Sequence, residues 1–322
     1  MTLDNENPDT PLLDCVIVGG GPAGLTAAIY LARFRRKIAI VDAGRSRLAD
    51  IAVSHNYPGF PQGVSGKDLL NKLRLQLDAH DVHVNFCTAR EIKSCDDGTF
   101  LVNIDGVRIH TRTVLVATGS KDVRPDMVHL EAAILEGCVR YCPVCDGFEA
   151  IGKKVAVLGA GEHGVAEAIF VRHFADDLTL ITTDFSMSLK DNDRDRLSSK
   201  HIRLLDGHGA TLVFYAAGPA IDVELLDGSA HRFDVLYSAL GLMVNSKIAA
   251  GLGAGRDRQG QLLVDQHFQT TVDGLYCAGD VAQGLNQITI ACGQAAAAAT
   301  AIHNRLADSL DVAHAQSGCE RG

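Results

Sequence analysis

The chain has 322 residues, about right for two domains, and 47% of them are hydrophobic, enough for a core in each. Lys and Arg number 30 against 39 Asp and Glu, a formal charge of −9 without a basic block, which argues against nucleic acid as a partner. No uncharged apolar run reaches the roughly 18–20 residues of a membrane span, and the polar opening "MTLDNENPDTP" lacks the apolar stretch of a secretory signal, so a cytoplasmic protein is expected.

The first predicted elements lie in "CVIVGGGPAGLTAAIYLAR", Cys15 to Arg33. A short apolar strand runs into Gly19, Gly21 and Gly24 at G-x-G-x-x-G spacing, and helix-forming residues follow at once. Such glycines permit a tight turn, let a pyrophosphate approach the backbone, and let helix pack on strand. The opening helix offers its free N–H groups and positive dipole end to phosphates. A second strand, "KIAIVDAG", ends in Asp42, 18 residues beyond Gly24, where an acid suits a ribose hydroxyl pair. Strand, glycines, helix, strand and acid together point to dinucleotide binding. Downstream, "TVLVATGS" is a strand ending in Ala117, Thr118 and Gly119, with the look of an exit from one domain into the next.

Next comes "RYCPVCDGFE", with Cys142 and Cys145 three positions apart before Asp146. The pair alone is compatible with zinc, an iron–sulfur cluster, a structural disulfide or electron shuttling. A second cradle, "KKVAVLGAGEHGVAEAIFVRHFADDLTLITTD", repeats the strand–glycine–helix–strand order with Gly159, Gly161 and Gly164 and ends at Asp184. Two cradles suggest two dinucleotides, or one domain type used twice with a decayed second site. "VLYSALGLMVN" then returns to the first domain. "GLYCAGDV" ends a strand at Gly279 and Asp280, and a last helix, including "AAAAAT", runs to near Leu306. Beyond Ala307 no clear helix or strand pattern is read, and Cys319 lies there. Most of the nine cysteines are expected to be small core residues.

This order resembles the low-molecular-weight thioredoxin reductases among the flavin-dependent pyridine-nucleotide disulfide oxidoreductases, from about Asp14 to Leu306. The residues that carry it are the first cradle, "HNYPGFPQGVSGKDLL", "VLVATGS", "CPVCDGFE", the second cradle and "LYCAGDV". The resemblance implies an α/β fold of two Rossmann-like doubly wound domains, the second inserted into the first. Residues 1–119 and 245–322 would form an FAD-binding domain, and 120–244 an inserted NAD(P)H-binding domain carrying the dithiol. The linkers would lie near Gly119–Arg124 and Gly241–Asn245.

By the same resemblance Gly19, Gly21, Gly24 and Asp42 would hold the FAD phosphates and adenosine ribose. Asn56, Thr118 and Gly119 would lie along the cofactor, Gly279 and Asp280 would meet its ribityl chain, and Gln287 would approach the ring. Cys145 would take electrons from the flavin, Cys142 would attack the substrate disulfide, and Asp146 would move protons. Gly159, Gly161, Gly164 and Asp184 would face NADH or NADPH. The substrate would be a thioredoxin-like protein or a small disulfide or dithiol, and the assembly a homodimer.

Metal is not expected at the dithiol. Zinc wants four ligands and no second Cys-x-x-Cys exists. Cys138, Cys142 and Cys145 have a cluster-like spacing, but two nucleotide cradles do not suit a cluster-binding fold. A lasting structural disulfide is unusual in a reducing cytoplasm, and redox shuttling is the favoured reading.

One departure from the family matters. Familiar thioredoxin reductases carry His-Arg-Arg after the second strand of the inserted domain, suited to a 2′-phosphate. Here Thr182, Thr183 and Asp184 stand there, which disfavours NADPH and allows NADH. Lys190, Arg194 and Arg196 follow in a polar, helix-like stretch read as solvated. A flavin dithiol oxidase, marked by Pro143 and Glu149, a reductase with another donor, and a redox sensor are the alternatives.

Overall fold

The computed structural model describes residues 12–183 and 189–319, with side chains of the last helix described to residue 307. It divides into two compact units. The first comprises Met1–Ala49, Lys67–Lys121 and Val244–Gly322, the second Asp50–Gly66 and Asp122–Met243. The segment Asp50–Gly66, read from the sequence as part of the first domain, groups with the second unit.

In chain order the first unit opens with β1 (Leu13–Val18), α1 (Pro22–Arg33) and β2 (Ile38–Asp42). It continues through α2 (Gly66–Asp78), β3 (Val84–Phe86), β4 (Ala89–Ser94), β5 (Phe100–Ile104) and β6 (Val107–Val116). The chain leaves through β7 (Ser120–Asp122). The second unit holds α3 (Leu130–Leu135), β8 (Val139–Arg140), α4 (Pro143–Asp146), β9 (Lys154–Gly159), α5 (Gly161–Val171) and β10 (Asp177–Thr182). Then follow α6 (Asp191–Ser199), β11 (Arg203–Asp206), β12 (Thr211–Tyr215), β13 (Ala220–Glu224), β14 (Ala230–Phe233) and β15 (Val235–Ala239). The return passes through β16 (Leu242–Val244) to α7 (Lys247–Ala250), β17 (Leu275–Cys277) and α8 (Ile288–Cys319).

The first unit is built on a seven-stranded sheet in the order β3-β2-β1-β6-β5-β4, with β17 also pairing β6. β3, β2, β1, β6 and β17 run parallel, and β4-β5-β6 form an antiparallel meander. Parallel strands covered on both faces read as continuous apolar runs, and every residue of β2 is buried. The "AAAAAT" run works as small-residue packing. Ala295, Ala298 and Ala299 on α8 are fully buried, as are Ala27 and Ala28 on α1, the two helices pack on each other, and Arg36 and Phe34 meet His303. The helix does not stop near Leu306 as expected but runs to Cys319. Nothing in "ADSLDVAHAQSG" breaks a helix already propagating, since proline is absent and Ala, Leu and Gln favour it.

In the second unit a five-stranded parallel sheet has the order β11-β10-β9-β15-β8, and β12-β13-β14 form a separate antiparallel sheet. Alternation along β9 feeds two cores. Val155 and Val157 pack with Val165 of α5 and Leu180, whereas Ala156 and Leu158 pack with Phe214, Ile221 and Phe233. β7 and β16, where the chain passes between units, pair as a two-stranded ribbon. Among the described residues no helix is long and apolar enough to cross a membrane.

Candidate active site: a dithiol helix and two glycine cradles

The first cradle is shaped by contacts that leave no room for side chains. Gly19 has φ +117°, and a Cβ on it would lie 2.2 Å from the Ala117 carbonyl oxygen. A Cβ on Gly24 would lie 1.8 Å from the Gly19 carbonyl oxygen, so helix α1 can meet the turn only through a bare backbone. Gly21 is the N-cap of α1, and no side chain caps the first turn. Uncapped N–H groups at a helix start favour an anion.

Asp42 ends β2 and is almost wholly buried, with Arg74 3.9 Å away. Its Oδ2 has no hydrogen-bond partner among the described residues. A Cβ on Gly20 would sit 2.7 Å from the Asp42 carboxyl carbon, so the acceptor faces the glycine turn. An orphaned buried acceptor beside a bare cradle is what a dinucleotide's ribose and phosphates would complete.

Elsewhere in this unit Asp280 gathers two partners that sequence reading missed. Arg47 Nη1 donates to its Oδ2 at 3.1 Å, and Ser120 Oγ donates to the same oxygen at 3.0 Å. The Gly279 N–H donates to the buried Gln294 Oε1 at 2.8 Å. The Gln287 carbonyl accepts the Ala291 N–H at 2.9 Å and so opens α8. Thr118 Oγ1 donates to the Asn245 carbonyl at 2.7 Å, the Asn245 amide returns a bond to Thr118 O at 2.9 Å, and the Asn245 N–H donates to Gly119 O. The structure thus brings Asp280, Ser120 and Arg47 together and ties Thr118 and Gly119 to the returning chain.

The second cradle repeats the bare backbone contact. A Cβ on Gly164 would lie 2.8 Å from Gly159 C, and one on Gly159 would lie 2.9 Å from Gly164 Cα, so α5 and β9 meet directly. Thr182 turns inward, 2% exposed, and donates to the Leu205 carbonyl at 3.3 Å. The Thr183 N–H donates to Gly159 O at 3.2 Å. Asp184 lies outside the described residues. Among the cations that follow, Arg196 is engaged by Asp193 at 2.9 Å.

Cys142 and Cys145 are joined as a disulfide, with Cα atoms 5.3 Å apart. Cys142 is the N-cap of α4 and Pro143 its first residue, where proline's fixed φ and missing N–H cost nothing. The Cys145 N–H donates to the Cys142 carbonyl at 2.8 Å. Asn56 lies beside this turn and donates to the Val144 carbonyl at 3.3 Å.

Asp146 closes α4. Its Oδ1 accepts the Tyr237 hydroxyl at 2.8 Å, and its backbone carbonyl accepts Arg140 Nη1 at 2.7 Å. Burial pushes its carboxyl above the ordinary carboxylate range, while the Arg140 charge and the Tyr237 hydrogen bond pull it back. A carboxyl raised in this way keeps its proton to higher pH than an ordinary carboxylate, as a proton carrier to a thiolate requires.

Cys15, Cys138 and Cys277 are buried, whereas Cys87, Cys95 and Cys292 are partly exposed. Cys95, Asp97 and His110 bring ligand atoms within 4.8 Å of one another. Thr99 already binds both Asp97 and His110, so the cluster closes as a hydrogen-bonded turn. The residues missed from the sequence are polar groups: Arg47, Ser120, Arg74 and Gln294 meet Asp280, Asp42 and Gly279 in the first unit, and Arg140 and Tyr237 meet Asp146 in the second. The only local hints were an arginine just before the dithiol and a hydroxyl-bearing aromatic in the apolar "VLYSALG".

The pyridine nucleotide-disulphide oxidoreductase family profile matches residues 13–295. A component of the alkyl hydroperoxide reductase of Escherichia coli (strain K12) is 29% identical over 299 residues, covering 88% of this chain and 56% of that protein. This chain therefore spans little more than half the length of that relative. The thioredoxin reductase of Listeria innocua serovar 6a is 26% identical over 297 residues, covering 88% of this chain and 90% of that one. The crystal structure of HlmI superposes with a TM-score of 0.88 at 26% identity, covering 99% of both chains.

Proposed function

This chain belongs to the pyridine nucleotide-disulphide oxidoreductase family, and from that membership we propose that it is an FAD-dependent disulfide oxidoreductase of the thioredoxin-reductase type. Electrons from NADH or NADPH would reach the Cys142–Cys145 pair and pass to a thioredoxin-like protein or a small disulfide. The observation that carries this reading is the disulfide on α4 beside an acid whose proton affinity is raised by burial.

The family implies a flavin and a pyridine nucleotide. In this reading Gly19, Gly21, Gly24 and Asp42 receive the FAD phosphates and ribose, the orphaned Asp42 oxygen supporting the assignment. Asp280, with Arg47 and Ser120 behind it, Thr118, Gly119, Gly279, Asn56 and Gln287 serve the rest of that cofactor. Gly159, Gly161 and Gly164 receive the nicotinamide dinucleotide. Bound flavin supplies the two-electron relay between nicotinamide and disulfide.

The remaining chemistry belongs to the chain's own residues. With the pair reduced, the Cys142 thiolate attacks one substrate sulfur and the substrate S–S bond breaks. The leaving thiolate takes a proton from the Asp146 carboxyl. The Cys145 thiol then gives its proton to the Asp146 carboxylate and attacks the Cys142 sulfur. The enzyme disulfide re-forms, and the second substrate thiolate leaves with that same proton. Two electrons have moved from the dithiol to the substrate, which departs as two thiols.

Anaerobic mixing of the flavin-loaded protein with each reduced nicotinamide tests the reading. NADH is expected to bleach the flavin faster than NADPH, because no basic side chain directly follows β10 in the sequence. If neither nicotinamide bleaches it within the time of a turnover, the reductase reading fails. The same lack of a basic side chain after β10 favours a second reading, a flavin dithiol oxidase that delivers electrons to oxygen. Oxygen uptake driven by a small dithiol without nicotinamide would select it.

A further inference from the structure

We propose that Tyr237 and Arg140 are positioning residues for the reaction. They clamp Asp146 by one carboxyl oxygen and by its backbone carbonyl, so that its other oxygen, Oδ2, is the one that exchanges protons with the thiols. This rests on the reading of Asp146 as the proton carrier beside the dithiol.

The two residues are brought together by strand register. β8 and β15 pair in parallel with Arg140 opposite Tyr237, at the edge of the sheet next to α4. Tyr237 is fully buried among apolar side chains on a strand otherwise made of Val, Leu, Ser and Ala. Phenylalanine would fill the same space, so the hydroxyl adds nothing to packing, and a buried hydroxyl without a partner is costly. Its partner is Asp146, with 2.8 Å to Oδ1 and 3.1 Å to the backbone oxygen.

Arg140 is held in three directions. Nε donates to Gly137 O at 2.8 Å, and Nη1 donates to Asp146 O at 2.7 Å and lies 3.4 Å from the Tyr237 hydroxyl. Its side chain is 9% exposed, and the one carboxylate within ion-pair range among the described residues is Asp146, 3.9 Å from Nη1. A buried guanidinium is tolerated when its charge and donors are met, and here they are met by the residue that follows the dithiol. The Tyr237 hydroxyl and the Arg140 guanidinium both approach Oδ1, so the clamp leaves Oδ2 as the exchanging atom.

The charged and titratable groups facing Asp146 are Arg140 on β8, Tyr237 on β15 and Glu149 on the turn after α4. Tyr237 and Arg140 both favour the carboxylate, while Glu149 and burial oppose it. Removing the hydroxyl or the guanidinium therefore drives proton affinity further up. The acid form persists to higher pH, and the carboxylate that accepts the Cys145 proton appears later.

The test uses the full chain, reduced with dithiothreitol and mixed with hydroxyethyl disulfide. The exchange rate is read by quenched alkylation across the acid to neutral range. Asp146→Asn is expected to remove the pH limb. Tyr237→Phe is expected to keep the limb and move it about one to two units upward, the size of one hydrogen bond to a charged group. Arg140→Lys, which keeps the charge but loses the fork, is expected to move it in the same direction, and thermal melting checks that each variant is folded. A limb that survives Asp146→Asn unchanged removes the reading of Asp146 itself. A limb abolished by Asp146→Asn but unmoved by Tyr237→Phe overturns the positioning proposal alone.

Discussion

Cys142 and Cys145 sit at opposite ends of a single turn, Cys142 as helix cap and Cys145 inside α4. The proposed division of labour makes their substitutions distinguishable. Cys145→Ser leaves Cys142 able to attack but unable to resolve, so a stable mixed disulfide with substrate is expected by mass spectrometry. Cys142→Ser is expected to give none, and both variants should lose turnover by at least about a thousandfold, as removal of a covalent nucleophile does. The other thiols behave differently for a physical reason. Burial pushes the Cys15 and Cys277 thiols up to about 12. Alkylation of the native reduced protein is therefore expected to spare Cys15 and Cys277 and to label them only after unfolding.

Among the elements, the two strand–turn–helix cradles show how a short sequence pattern dictates geometry. The Gly24 position is the sharpest case, because a Cβ there would lie 1.8 Å from the Gly19 carbonyl oxygen, a backbone atom with no room to withdraw. Gly24→Ala is expected to separate α1 from β1 and to release the flavin. The readout is a protein purified with far less flavin absorbance per chain, and a loss of about 1–3 kcal/mol in stability for overpacking. The dithiol turn is constrained in the same way. A Cβ on Gly147 would lie 2.6 Å from both the Phe174 ring and the Pro143 carbonyl oxygen. Longer elements were harder to read. The β4-β5-β6 meander and the β12-β13-β14 sheet carry alternating patterns but none of the candidate site residues, and the final helix outran its expected end by continued propagation.

Taken whole, the molecule holds one cradle in each of its two units, Gly19–Gly24 in the first and Gly159–Gly164 in the second. If each serves a different dinucleotide, damage to one should leave the other's ligand in place. Gly164→Ala, whose Cβ would lie 2.8 Å from the Gly159 carbonyl carbon, is expected to retain wild-type flavin content. It should nevertheless slow flavin bleaching by reduced nicotinamide by about tenfold or more, the cost of roughly 1.4 kcal/mol of lost binding. Loss of flavin from this variant would count against separate sites.

What the sequence determined by itself was whatever is written in consecutive residues. A cradle spans few residues, its glycines are required by backbone contacts within that span, and the dithiol, its proline and its acid lie within five consecutive positions, 142–146. The alternating α/β order was legible for the same reason, since each strand–helix unit carries its own periodicity. Only the tertiary structure decided which side chains converge from afar. Arg47 reaches Asp280 across 233 positions, and Tyr237 reaches Asp146 across 91. It also turned Thr182 into the protein and left the Asp42 acceptor buried without a hydrogen-bond partner among the described residues. Strand order and register place these groups, and both depend on which apolar faces pack together, a property of the whole chain that no local pattern encodes.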